Sequence, residues 1–336
     1  MREVAVTTTH EQIKHHQKEF KMQYAIIPHQ SENTALKVIS SALQGFYNAQ
    51  NVSLKTLEAY KKNIGYFVKW IKETNAIINS SEDVLRYKLH LQDRRLSSST
   101  INAYMTSIRK LFKYLESKGI SNDLTKDIKN EGISEGYKKK PLTPEELFLL
   151  KQSLSGTDLL SRRDLLLIAL GVANGLRTIE MTRLTVGDLQ EELNHNVLMI
   201  EGKGSKNGEK VSVILQDSTY EMIKQFIALQ GLEGEKESFI FTSLSNFKGK
   251  KGYKPLTTSA VRYAIKKRFN EVGINDVMKT SHSLRHTHAH KLLDVGASPL
   301  EIQTSLRHKS FSSTEIYIKS RNKHKDPASL KIDFLS

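Results

Sequence analysis

The chain has 336 residues, 38% of them hydrophobic, which is room for two domains with real cores and too apolar for wholesale disorder. Lys and Arg outnumber Asp and Glu by 15, which favours a polyanionic partner, nucleic acid before an anionic membrane. The lack of cysteine excludes disulfides, a thiol nucleophile and a cysteine zinc site; no apolar run has the length of a membrane span or a secretory core, so a soluble, cytoplasmic, basic protein is expected.

Residues 1–33 show no clear periodicity and stay unassigned. From 34 to 130 the apolar spacing is helical. Ala35, Leu36, Ile39, Ala42, Leu43 and Phe46 form one stripe, and Leu57, Tyr60, Ile64, Phe67, Val68 and Ile71 a second. A third helix is expected near Val84 to Leu91. A fourth follows "SSST" and runs through Ile101, Tyr104, Ile108, Leu111, Phe112 and Leu115 to a stop at Gly119. Lys55, Lys61, Lys62, Arg109 and Lys110 lie off these stripes. Singly each reads as part of a solvated face. As a set, joined by Thr100, they are candidates for gripping DNA phosphates.

Residues 131–142 read as a linker, with a basic run at Lys138, Lys139 and Lys140 added to the DNA-binding candidates. Thr143-Pro144-Glu145-Glu146 then has the composition of a helix start with a capping box. Residues 143–320 form the expected second domain, in which helices alternate with two strands, Val197 to Ile200 and Val211 to Leu215, around a Gly/Lys/Asn-rich turn. The fold expected is thus mainly α with a small antiparallel β-sheet.

Four stretches of this domain carry unusual polar groups. They are "ANGLRTIEMTRL" with Arg177 and Glu180, "EGKGSKNG" with Lys203, "SHSLRHTHAHKLL" with His282 and Arg285 on one helix face, and "HKSFSSTEIYIKS" with His308 and Tyr317. Nine residues separate His308 from Tyr317, which would oppose them on one continuous helix. The sequence instead breaks there: Ser298-Pro299-Leu300-Glu301 starts one helix and Ser312-Ser313-Thr314-Glu315 another, so both side chains can face one site.

Two arginines, a lysine, two histidines and a tyrosine suit phosphoryl transfer on a DNA backbone. Bidentate guanidiniums neutralise charge gathering on the non-bridging oxygens. A free phenol titrates near ~10 and needs cations and a base to lose its proton. A lysine on a mobile hairpin can protonate the departing oxygen. Taken singly, Tyr317 reads as a packed helix tyrosine, Lys203 as a solvated turn lysine, and Arg177 with Glu180 as a structural ion pair. The spacing of His286, His288 and His290 turns the middle one away from the others, which argues against a metal set and for core packing or a DNA-backbone contact.

The ordered set Arg177, Lys203, His282, Arg285, His308 and Tyr317, with "GLRTIEMTRLTVGDL", "HSLRHTHA" and "STEIY", resembles the tyrosine recombinase (phage-integrase, Xer-like) family. "SLKTLEAYKKNIGYFVKWI" and "SSSTINAYMTSIRKLFKYL" resemble its core-binding helices, and the likeness covers residues 34–320. One position departs: Arg307 stands where the family usually has glycine. The resemblance implies a helical core-binding domain and a catalytic domain acting by site-specific recombination. Tyr317 would be the nucleophile forming a 3′-phosphotyrosine, with Arg177, Arg285 and His308 on the phosphate, Lys203 as acid to the 5′-oxygen, and His282 as base or assisting acid. It implies neither ATP nor a metal, no cofactor, double-stranded DNA as partner, and a homotetramer passing through a Holliday junction, with an accessory DNA-bending protein as a possible partner. Integration and excision of a mobile element or Xer-type resolution is the expected task. It also implies that the tail, residues 321–336, packs on a neighbouring protomer. A DNA-binding regulator that no longer cuts and a type IB topoisomerase are the competing readings; the complete set of six argues against the first and the Xer-like first domain against the second.

Overall fold

Serine side chains set the helix starts of the N-terminal unit. The computed structural model describes residues 34–132, 139–202, 208–243 and 254–322, and the chain divides into two compact units, Met1–Ser134 and Glu135–Ser336. The first holds α1 (Thr34–Asn48), α2 (Leu54–Thr74), α3 (Ser81–Asp93) and α4 (Ser98–Ser117). Ser53 and Ser97 each accept the N–H three residues on, from Thr56 and Thr100. α3 starts earlier than its apolar pattern indicates, because the Asp83 carboxylate accepts the N–H groups of Asn79 and Ser80. Beyond α4 the chain turns at Gly119, φ +65°, as expected of a helix stop.

The predicted stripes of this unit face one core. Ile64, Phe67 and Ile71 of α2 meet Ile101, Ile108, Leu111 and Phe112 of α4, with Phe46 of α1 and Tyr87 of α3. The Phe67 ring lies 4.8 Å from Tyr87, 6.0 Å from Trp70 and 6.4 Å from Phe112. The described part of the expected linker is held at both ends. Glu131 pairs with Lys88 at 2.6 Å, and the Leu142 N–H donates to Thr287 Oγ1 at 2.8 Å.

The second unit holds α5 (Pro144–Ser153), α6 (Leu159–Ala173), α7 (Thr178–Met181), β1 (Leu189–Glu192), β2 (His195–Glu201), β3 (Lys210–Ile214), α8 (Asp217–Leu229), α9 (Thr258–Glu271), α10 (Ser281–Asp294), α11 (Pro299–Ser305) and α12 (Ser312–Asn322). Both sides of the Thr143/Glu146 capping box form, at 3.2 and 2.9 Å. The strands form one antiparallel sheet in the order β1-β2-β3. β1 is not visible in the sequence pattern because "LQEE" is a mostly exposed, charged edge strand; it pairs with β2 through Leu193 and Asn194, both at positive φ.

α10 positions the site. It packs on α6 at Gly171, where an added Cβ would sit 2.8 Å from Leu284 Cβ. Ser283 through Ala289 are all buried, so this helix has polar groups facing inward on several sides. Among the described residues no helix is long and apolar enough to cross a membrane.

Candidate active site

Gly175 sets the geometry of the turn before α7. Its φ is +60°, and a Cβ there would fall 2.7 Å from the His288 ring and 3.2 Å from Leu306. Arg177 follows and meets Glu180 twice: its N–H donates to Oε2 at 2.8 Å and its guanidinium to Oε1 at 2.7 Å. Glu180 is 0% exposed. Burial pushes its carboxyl up, but the Arg307 charge and the bonds and charge of Arg177 more than reverse this, so it stays ionised below its ordinary value.

His282 and Arg285 lie one turn apart on α10. Arg285 is 1% exposed and donates to the carbonyls of Gly175 and Leu306, joining the α7 turn to the end of α11. Burial, then repulsion from Arg177 and Arg307, brings its pKa down to about 9, which leaves it cationic at neutral pH. A guanidinium has five N–H donors, so two carbonyl bonds leave others for a phosphate. His282 keeps its ring open to solvent, yet the protein mass around it, then the Arg285 and Arg177 charges, lowers its pKa. It is therefore a neutral imidazole able to accept a proton.

α11 and α12 supply the other two groups. The expected capping box at Ser298 and Glu301 forms, and α11 ends at Ser305, with Arg307 at φ +52° turning the chain. His308 Nδ1 then lies 2.8 Å from the hydroxyl of the buried Thr314, a bond that folds α12 back. α12 begins at Ser312 as expected, but Thr314 is used on His308 and the Glu315 N–H donates to Phe311 O. Across this break the Tyr317 ring stacks nearly parallel to His308, at 10° and 6.4 Å. Burial, then Arg285 and Arg177, holds His308 near pKa 4 and neutral.

Tyr317 is 4% exposed and packs with Ala289, Leu293, Ile302 and Leu306. Its surroundings are not simply apolar. The rings of His286 and His290 lie 5.2 and 6.1 Å away. Burial raises the phenol pKa, while the positive charges of Arg285 and Arg177 oppose the rise. Five of the six expected groups, Arg177, His282, Arg285, His308 and Tyr317, thus meet in one electrostatically coupled cluster. Lys203 lies outside the described residues, in the interval between β2 and β3.

The expected DNA-binding residues are scattered by comparison. Lys55, Lys61 and Lys62 are exposed on α2, with Lys61 Nζ 5.4 Å from the Tyr47 ring centre. The Thr100 hydroxyl is 2.8 Å from Ser97 Oγ at the start of α4. Arg109 turns inward, donating to Ile128 O and Asn130 Oδ1 at 2.7 Å each. Lys140 pairs with Asp276 at 3.0 Å, and Lys139 Nζ is 3.4 Å from Val277 O. Lys138, the segment 1–33 and most of the tail lie outside the described residues.

Sequence reasoning did not find Thr314, nor where Arg307 and the extra histidines go. His288 bonds Val172 O and Ser305 Oγ at 3.0 and 2.8 Å and acts as packing. The signal for Thr314 was its place six residues after His308, read instead as part of a helix cap.

Residues 140–324 match the Phage integrase family, and residues 39–119 match the Phage integrase N-terminal SAM-like domain. The chain is 25% identical over 286 residues to tyrosine recombinase XerC of Roseiflexus sp. (strain RS-1), covering 83% of this chain and 88% of that one. It is 27% identical over 294 residues to tyrosine recombinase XerD of Halalkalibacterium halodurans, covering 84% and 94%. In fold it is similar to the XerH site-specific recombinase bound to palindromic difH substrate in a post-cleavage complex, with TM-score 0.63, 21% identity, and 85% and 82% of the two chains covered. It is also similar to a lambda integrase tetramer bound to a Holliday junction, with TM-score 0.62, 18% identity, and 97% and 90% covered.

Proposed function

The chain belongs to the phage integrase family, as a tyrosine recombinase that breaks and rejoins DNA site-specifically, and from that premise we propose which residues do so and how. The Tyr317 oxygen attacks the scissile phosphorus, the bond to the 5′-oxygen breaks, and a 3′-phosphotyrosine and a free 5′-hydroxyl result. The phenol proton passes to neutral His282, and the 5′-oxygen takes a proton from Lys203. Arg177 and Arg285 bind the non-bridging oxygens, and His308, oriented by Thr314, adds a further donor. Each such preorganised donor is worth about 3–4 kcal/mol of barrier. Reversal by an incoming 5′-hydroxyl reseals the strand, because the ester keeps the phosphodiester's bond energy.

One observation carries this reading. Tyr317 lies parallel to His308 across a helix break, within electrostatic reach of Arg177 and Arg285. At 4% exposure Tyr317 is sheltered in this state, and in this mechanism DNA binding draws α12 away from α10 to admit the phosphodiester. The Ser310–Ser312 stretch between His308 and α12 is the natural hinge.

Double-stranded DNA is the proposed substrate, with the exposed Lys55, Lys61 and Lys62 of α2 on its phosphates. The lambda integrase tetramer on a Holliday junction supports assembly as a homotetramer through the same intermediate. Integration and excision of a mobile element, or resolution of the Xer type, is the proposed task. On nicked suicide DNA the chain is expected to form an SDS-resistant adduct that Tyr317→Phe abolishes. An adduct that survives this substitution refutes the nucleophile.

A further inference from the structure

Five non-glycine residues have positive φ among the described residues, and of these Arg307 belongs to the active-site cluster. A left-handed arginine is a strained choice where the resembled pattern has glycine. The side chain is not loose: it is 12% exposed and both terminal nitrogens are engaged with the site, while Nε is buried without a hydrogen-bond partner among the described residues. It donates to Glu180 Oε2 at 3.0 Å, to Gly175 O at 3.1 Å, to Ser305 O at 2.8 Å and to Asn174 O at 3.4 Å. Its own carbonyl accepts from the Arg177 guanidinium at 3.3 Å.

These bonds have two consequences. The Glu180 carboxylate is divided between two guanidiniums, Oε1 to Arg177 and Oε2 to Arg307. With glycine at 307, Oε2 keeps the Arg177 backbone N–H but is open to the Arg177 guanidinium as well, and a fork-to-fork pair would neutralise it and draw it from a phosphate. Arg307 also ties the turn carrying Arg177 to the segment carrying His308, through Gly175 on one side and Ser305 on the other. Against the single carboxylate of Glu180, the cluster of Arg177, Arg285 and Arg307 keeps two positive charges in excess instead of one.

We propose that Arg307 is a positioning residue for strand cleavage, taking Glu180's second oxygen and the neighbouring carbonyls so that Arg177 stays available to the scissile phosphate and His308 stays in register with it. This rests on the cleavage mechanism proposed above and extends it to a residue outside the six-member set.

The test is single-turnover adduct formation on saturating nicked DNA, together with affinity for the same DNA. Arg307→Gly keeps the left-handed backbone accessible; it should form adduct roughly 100-fold more slowly, the order expected for losing one electrostatic contribution, while affinity changes less than about threefold. Arg307→Lys restores the charge without the fork and should recover part of the rate. Glu180→Gln in the Arg307→Gly background should also recover part of it, since the carboxylate then no longer captures Arg177, a rescue that simple structural damage would not give. A wild-type rate in Arg307→Gly, or losses in rate and affinity of equal size, overturns the proposal, as does the absence of any Glu180→Gln rescue. If Arg307→Gly does not fold, Arg307→Lys decides alone: about tenfold slowing supports the role and a wild-type rate overturns it. The parent mechanism is judged separately by the adduct and its loss in Tyr317→Phe, so the two failures are distinguishable.

Discussion

Tyr87 and Tyr317 are both helical and almost fully buried, at 1% and 4% exposure, yet their surroundings oppose each other. Tyr87 lies in an aromatic core with Phe67 at 4.8 Å and Trp70 at 5.2 Å, and its hydroxyl has no hydrogen-bond partner among the described residues. Burial, with a smaller push from Tyr104, raises its pKa far beyond the ordinary value. Tyr317 is buried beside His286, His290 and His308, and the charges of Arg285 and Arg177 favour its phenolate. Burial raises both phenols, and at Tyr317 two neighbouring guanidiniums offset part of the rise. The first unit gains stability from its apolar core. The second unit holds charge inside the fold, which costs stability and is tolerated for chemistry.

The largest effects should come from removing what holds each interior together. Phe67→Ala should cost about 3–5 kcal/mol by leaving a cavity among Trp70, Tyr87 and Phe112. Glu180→Ala should cost about 2–4 kcal/mol for an electrostatic reason, since it leaves the half-buried charges of Arg177 and Arg307 without their carboxylate. Rescue separates the two causes. Phe67→Leu should regain most of the loss in urea unfolding, because it restores volume. Glu180→Met restores volume without charge and should regain little. If Glu180→Met matches wild type, the buried carboxylate is not needed for stability and the contrast between the units weakens.

Acid should separate the units next. Burial above all depresses His286 to about 3 and His288 to about 4. A histidine whose folded pKa is depressed stabilises the fold above its unfolded value near 6.5 and loses that contribution as pH falls below it. At pH 5 each of these two buried imidazoles should cost up to about 2 kcal/mol. The carboxylates held low in the first unit, such as Asp83, begin to protonate only below their unfolded range near ~4. Amide exchange at pH 7.5 and pH 5 should therefore show α10 losing protection while α2 and α4 keep theirs. Parallel loss in both units is the result against this.

The parts of the chain legible in sequence were those ruled by local chemistry. The stripe Ile64, Phe67, Ile71 faced the core because helical periodicity fixes which side chains share a face. Thr143 and Ser298 formed their capping boxes because both partners lie within three residues. β1 escaped because its pairing, not its composition, makes it a strand. The order of the site residues could be read, but their distances could not. That Tyr317 would be sheltered, that Thr314 would turn to His308, and that Arg307 would reach back to Glu180 all depend on contacts across long sequence gaps. Arg109 shows the same limit from the other side: an off-stripe arginine can face DNA or, as in this fold, tie down Ile128 and Asn130.

The smallest effect tests the comparison most directly, because it makes one change at each tyrosine. Phenylalanine keeps the ring and removes the hydroxyl. At Tyr87 that hydroxyl is buried without a partner among the described residues, so its removal relieves a desolvation penalty. Tyr87→Phe should raise stability by about 1 kcal/mol, seen as a higher urea midpoint at unchanged slope, and leave the rate of adduct formation untouched. Tyr317→Phe also keeps a packed ring beside Leu306 and Ile302 and should stay folded, but it removes the oxygen proposed as the nucleophile. If Tyr87→Phe proves destabilising by a similar amount, its hydroxyl has a role in the folded state, and the contrast between the two tyrosines fails.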